Sequence, residues 1–161
     1  VSDCTFAAGN GFVTCGSEAS IIRDVVVENC RTAEPHRVAC VLRLKMRTDT
    51  PQHYSDMHFN NITLGGSTGA LIAVAPWTQY FDLKGKPQPT RSADNISISN
   101  VKGSFGSFGS VAGGPGDTFE NFTFENIDLT VPENARPPRL SAIKDLKLTN
   151  VKINGAPYTG Q

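Results

Sequence analysis

Helical periodicity is the first thing missing from this 161-residue chain. No window carries apolar residues at the i, i+3, i+4, i+7 spacing of an amphipathic helix, which excludes helical bundles. A charge surplus is missing too, since 15 Lys and Arg balance 15 Asp and Glu. Neither a nucleic-acid nor a membrane-surface partner is therefore expected, because both rest on a basic excess. No apolar run approaches the ~20 residues of a spanning helix, which predicts a soluble chain. No charged-then-apolar leader opens it, and Val1 stands inside what reads as a strand. The four cysteines fit no common zinc spacing and none of the three histidines completes one, so neither metal nor cofactor is expected. No Ser-His-Asp arrangement is legible. Residues 103–116 are glycine-rich but lack the lysine of a phosphate loop, and read as a flexible or tightly turning edge.

What is present points to strands. Fifteen Gly and ten Pro, many in Asn-Gly, Gly-Gly and Pro-Gly pairs, punctuate short runs of β-branched and aromatic residues that alternate with period two. The expected class is all-β, and the length suits one domain over residues 1–161 that buries roughly 70% of its unfolded surface.

One pattern recurs: apolar, any, apolar, any, Asn, apolar. It occurs at 25–30, 57–62, 96–101, 122–127 and 146–151, with a clipped copy at 1–4 in which Asp3 takes the Asn place. The polar positions Asp3, Asn29, Asn61, Asn100, Asn126 and Asn150 are separated by steps of 26, 32, 39, 26 and 24 residues. A hairpin sandwich would show turn signals every 8–12 residues or so, and the dense leucines of leucine-rich repeats are absent. Steps of this size predict a right-handed, single-stranded parallel β-helix of about five to six coils. Each Asn would turn a corner in the left-handed region it tolerates and hydrogen-bond to its equivalent about 4.8 Å away. That ladder is expected to be buried, Asn61 included. Cys30, Ile62, Val101, Ile127 and Val151 would stack inside, and the truncated first coil would leave an edge open to self-association.

Second strands lie between the corners, at 12–15, 41–45 and 70–74. The 29-residue step from Val13 to Leu42 recurs from Cys15 to Leu44, so both pairs should point inward and Thr14 and Arg43 outward. Cys4 and Cys30 occupy the same repeat position; buried thiols and a Cys4–Cys30 disulfide are both open. The Asn-x-Ser/Thr triplets at Asn61, Asn95 and Asn121 read as by-products of Asn-rich corners. His58 reads as a solvated strand residue. Arg43 and Lys45 alternate on a strand, with Arg47 beyond them. Two cations on a rigid face suit a carboxylate, Arg as a fork and Lys as a point charge. An ordinary exposed strand face is the competing explanation. Gly9-Asn10-Gly11 would pinch the backbone and expose Asn10 near that face.

These elements resemble glycoside hydrolase family 28, the polygalacturonases and relatives. Its members carry Gly-His-Gly running into a strand that ends in Gly-Ser, then Arg-Ile-Lys about one coil later. Here the chain has Gly9-Asn10-Gly11 leading to Gly16-Ser17, then Arg43-Leu44-Lys45. The stretch from Leu71 to Tyr80 looks like the family strand that leads to an active-site tyrosine. The resemblance implies a pectin-lyase-like solenoid, of which residues 1–161 are the C-terminal portion, and inverting hydrolysis of α-linked galacturonate. It implies Arg43 and Lys45 on the substrate carboxylate, Tyr80 lining a sugar subsite, and a secreted or periplasmic setting. Two departures stand out. The Asn-Thr-Asp and Asp-Asp segments that carry the family's catalytic aspartates occur nowhere in residues 1–161 and are expected upstream. Asn10 stands where the family has His, and an amide cannot carry a proton at neutral pH. No catalytic residue is therefore expected in this chain. A non-catalytic carbohydrate-binding or adhesin-like β-helix module is the alternative.

Overall fold

The computed structural model describes residues 1–79 and 82–160. Among these residues there is no helix and most are in strands, so the chain is all-β. In chain order the strands are β1 (Thr5–Gly9), β2 (Val13–Cys15), β3 (Ser20–Ile22), β4 (Val25–Val38), β5 (Cys40–Arg47), β6 (Gln52–Leu64) and β7 (Ala70–Trp77). They continue as β8 (Arg91–Ser104), β9 (Ser107–Val111), β10 (Asp117–Thr130), β11 (Ile143–Lys144), β12 (Lys147–Ile153) and β13 (Ala156–Pro157).

From β4 to β10 successive strands alternate between two sheets. The larger runs β1-β4-β6-β8-β10-β12-β13, with β3 beside β6 and β11 beside β10; the smaller runs β2-β5-β7-β9. Every pairing is parallel except β12 with β13. Parallel strands need a crossover, and here each sheet supplies it for the other. β1 and β2 stand at the open edges of their sheets.

The long strands are bent, and the bends explain the repeat. Asn29, Asn61, Asn100, Asn126 and Asn150 all have φ between 51° and 55°, and Asp3 has φ 55°. A second column, unnoticed in the repeat, lies five residues earlier: Asp24, Asp56, Asn95, Asn121 and Asp145, all with positive φ. Asn and Asp are the non-glycine residues that tolerate this region best. Each passage through the larger sheet therefore turns twice, five residues apart.

The ladder itself needs two corrections. Asn61 donates to Asn29 at 2.8 Å, Asn126 to Asn100 at 3.2 Å and Asn150 to Asn126 at 2.9 Å, whereas Asn100 donates to Asn60 rather than Asn61. The column is also exposed, Asn61 included. A left-handed corner turns its own side chain away from the core, and the apolar neighbours on either side turn in. The inner stack is as expected, with Cys30, Ile62, Val101, Ile127 and Val151 adjacent in register and all buried. Beside it run Val27, Phe59, Ile98 and Phe124, and Phe108 of the smaller sheet meets Phe124 with ring centroids 5.2 Å apart. Burial of this kind contributes roughly 1.5–3 kcal/mol per large side chain.

All four cysteines are free thiols. Cys15, Cys30 and Cys40 are buried, but Cys4 is exposed because β1 is the edge strand. Burial pushes the Cys15 thiol up to about 11. One charged pair is wholly enclosed: Arg91 Nε lies 2.5 Å from Asp117, both side chains 0% exposed. Arg91 also donates to the carbonyls of Thr48, Pro89 and Pro115, so one guanidinium ties three connecting segments together.

Candidate anion-binding face

The outward face of the smaller sheet is built by strict alternation along β5. Leu42, Leu44 and Met46 are buried, while Arg43, Lys45 and Arg47 are half-buried and point the other way. Val13 pairs with Leu42, Thr14 with Arg43 and Cys15 with Leu44, the register expected from the 29-residue step. On the other side Arg43 pairs with Ala73, Lys45 with Ala75 and Arg47 with Trp77. The two alanines leave room above β7, and the Trp77 ring lies against the two cations. Lys45 Nζ lies 4.5 Å from the ring centroid and Arg43 Cζ 5.7 Å, both within reach of the ring's negative face.

Trp77 is the only tryptophan in the chain, and its part here was not read from the sequence. The repeat marks a strand at 70–74, and β7 runs on to Trp77. The cue was the Ala-x-Ala-x-Trp alternation of residues 73–77, which puts the ring on the same face as the cations.

The three cations differ in their partners. Arg47 is engaged by carboxylates, 2.6 Å from Asp49 and 3.5 Å from Glu18. This contact holds the Asp49 carboxyl below the usual carboxylate range, helped by a hydrogen bond donated from the Asp82 backbone N–H. Arg43 and Lys45 have no carboxylate within 4.0 Å among the described residues. Neither side chain has a hydrogen-bond or ion-pair partner among the described residues, which leaves their N–H donors for an external anion. Thr14 completes the row; its hydroxyl is buried and has no hydrogen-bond partner among the described residues. A Cβ added at Gly11 would come 2.9 Å from that hydroxyl, so the glycine pinch covers it closely.

Asn10 is exposed in the turn before β2. The Gly9 carbonyl and the Phe12 N–H flank it and bond to Ala39 and Cys40 at 2.9 and 3.1 Å, so Asn10 lies level with the start of β5. That is three residues short of Arg43, or about 10 Å along the strand. Among the described residues Asn10 makes no hydrogen bond to Arg43 or Lys45. The structure therefore joins Arg43, Lys45 and Trp77 and leaves Asn10 apart from them. Tyr80 lies outside the described residues.

A Ser-His-Asp grouping, illegible in the sequence, does form on the larger sheet. His53 pairs in register with Ser92; its Nδ1 lies 2.5 Å from the Ser92 hydroxyl and its Nε2 3.7 Å from Asp94. The residues are 39 apart in sequence, so no local spacing could reveal it. His58 pairs with Ser97 in the same way at 2.8 Å. The repetition identifies both as cross-strand contacts on an open sheet face. No group of three or more potential metal ligands occurs among the described residues, and no helix there is long and apolar enough to cross a membrane. No protein-family model, curated protein or solved structure matches the chain.

Proposed function

We propose that the outward face of the smaller sheet binds the carboxylates of an acidic polysaccharide, in the manner of a pectin-type glycoside hydrolase. The observation that carries this is the pair Arg43 and Lys45, held on one strand, without a carboxylate partner among the described residues and set against Trp77. A fork and a point charge together recognise a carboxylate, and an indole face suits the apolar face of a sugar ring. Uronate units present both features.

The architecture fits a right-handed parallel β-helix of the pectin-lyase type. Two parallel sheets exchange the chain at each passage, and equivalent residues stack one for one. In this reading the chain supplies the substrate-carboxylate side of a polygalacturonase-like cleft in a secreted or periplasmic protein. The catalytic aspartates lie in a preceding segment, so this polypeptide alone is inactive. The open edges β1 and β2 are the surfaces available for self-association. A non-catalytic carbohydrate-binding module is the second reading, favoured by Asn10, an exposed amide at the position where the resembling family has a proton-carrying histidine.

Trp77 provides the test. Titrating oligogalacturonate should change its fluorescence, and Arg43→Ala or Lys45→Ala should each weaken binding about tenfold or more, the loss of a charge-assisted hydrogen bond. Neutral oligosaccharides of the same length should give no response. Unchanged affinity in both variants would refute the carboxylate assignment. Turnover of polygalacturonate by this polypeptide would refute the placing of catalysis elsewhere.

A further inference from the structure

A second cationic pair flanks the same face. Beyond β9, Arg139 continues the smaller sheet: Val111 N–H donates to the Arg139 carbonyl at 2.8 Å and Arg139 N–H to Gly109 at 3.2 Å. Arg139 bridges in parallel to Ser110, so its side chain leaves on the face that carries Arg43. Arg136 precedes it after a turn in which Ala135 N–H donates to the Pro132 carbonyl at 2.9 Å. Both arginines line a groove of about 230 Å³ whose floor includes Ala73, Ser107 and Ser110.

One row of register partners crosses the sheet from Thr14 to Arg43, Ala73, Ser110 and Arg139. Arg43 and Arg139 are thus three strand spacings apart, about 14 Å, with only small side chains between them. Arg136 and Arg139 also have no carboxylate within 4.0 Å among the described residues. In a chain of zero formal charge, four cations without acidic partners border one small-residue floor.

We infer that Arg136 and Arg139 form a second anion-binding position on the floor shared with Arg43 and Lys45. The ligand is then an extended acidic chain lying across the strands, gripped at two places about 14 Å apart, rather than a single uronate. This rests on the carboxylate reading of Arg43 and Lys45 and specifies the length and direction of what binds there. The Ser110 hydroxyl, with no hydrogen-bond partner among the described residues, meets the chain between the two positions.

The test compares galacturonate oligomers of two and of six or more units by calorimetry on the full chain. Wild type should bind the long oligomer about 100-fold more tightly than the short one, the gain from tethering a second contact. Arg136→Gln/Arg139→Gln should remove that gain and leave the short-oligomer affinity unchanged, while Arg43→Ala/Lys45→Ala lowers both. Arg136→Lys/Arg139→Lys, which keeps the charge, should restore most of the gain; circular dichroism checks that each variant is folded. If the glutamine variant keeps the full length dependence, or wild type shows none, the second position is wrong and the Arg43/Lys45 reading survives. If Arg43→Ala/Lys45→Ala changes neither affinity, the carboxylate reading itself falls and the inference with it.

Discussion

Replacing Arg91 by Met should be among the most damaging single substitutions in this protein. The guanidinium is fully buried and compensates the equally buried Asp117 carboxylate at 2.5 Å. It also satisfies the carbonyls of Thr48, Pro89 and Pro115, the last at 2.5 Å. Methionine fills similar volume but leaves one anion and three acceptors without these donors. Breaking a buried pair from one side costs about 3–5 kcal/mol, and each abandoned carbonyl adds to it. With a urea m-value of about 2 kcal/mol/M, the unfolding midpoint should fall by roughly 1.5–2.5 M. Asp117→Asn should cost less, about 2 kcal/mol, since the amide oxygen can still accept from Arg91. Its NH₂ would meet the Gly114 N–H that now donates to Asp117 at 2.7 Å. The double variant Arg91→Met/Asp117→Leu should be more stable than Arg91→Met alone, because no charge is left stranded. Urea titrations followed by circular dichroism decide it. A midpoint shift below about 0.5 M for Arg91→Met would refute the claim that this pair is desolvated and interdependent.

Three further outcomes are expected. Gly109→Ala should lower Tm by several degrees in a thermal melt, as expected for a loss of more than about 1 kcal/mol, because φ is +101° and the new Cβ would sit 1.9 Å from the Ile72 carbonyl oxygen. Brief alkylation near pH 8 followed by mass spectrometry should modify Cys4 and spare Cys15, whose thiol burial raises to about 11; rapid modification of Cys15 would contradict its burial. The Asp49 carboxyl is depressed in the folded protein by Arg47, so its stabilising contribution is present above about pH 4 and is lost as pH falls through the folded value. Because Asp49 also accepts from the Asp82 N–H, the protection of the Asp82 amide against exchange, taken relative to an unstructured peptide at the same pH, should fall below that pH, and Asp49→Asn should abolish the effect.

The repeat was legible because its cause is local. A left-handed corner accepts few residue types, and the flanking apolar residues must alternate, so Asn29 to Asn150 and the stack from Cys30 to Val151 could be placed from spacing alone. The pairing of Val13 with Leu42 followed from the same arithmetic, and so did the outward direction of Arg43 and Lys45. The Asp24-to-Asp145 corners were missed because Asp and Asn mix in that column and blur the pattern. Burial of the ladder was misjudged because sequence gives the turn but not the side on which its amide emerges.

What sequence determined here is periodicity: strands, corners and which residues of a strand share a face. Tertiary structure alone decided which side chains outside the repeat meet across the strands, since crossover lengths vary and carry no repeat of their own. That adjacency brought Trp77 over Lys45, closed Arg91 on Asp117 and carried Arg139 onto the row that begins at Thr14. Each of these contacts joins residues 26 or more apart in the chain, a range over which local propensity holds no information.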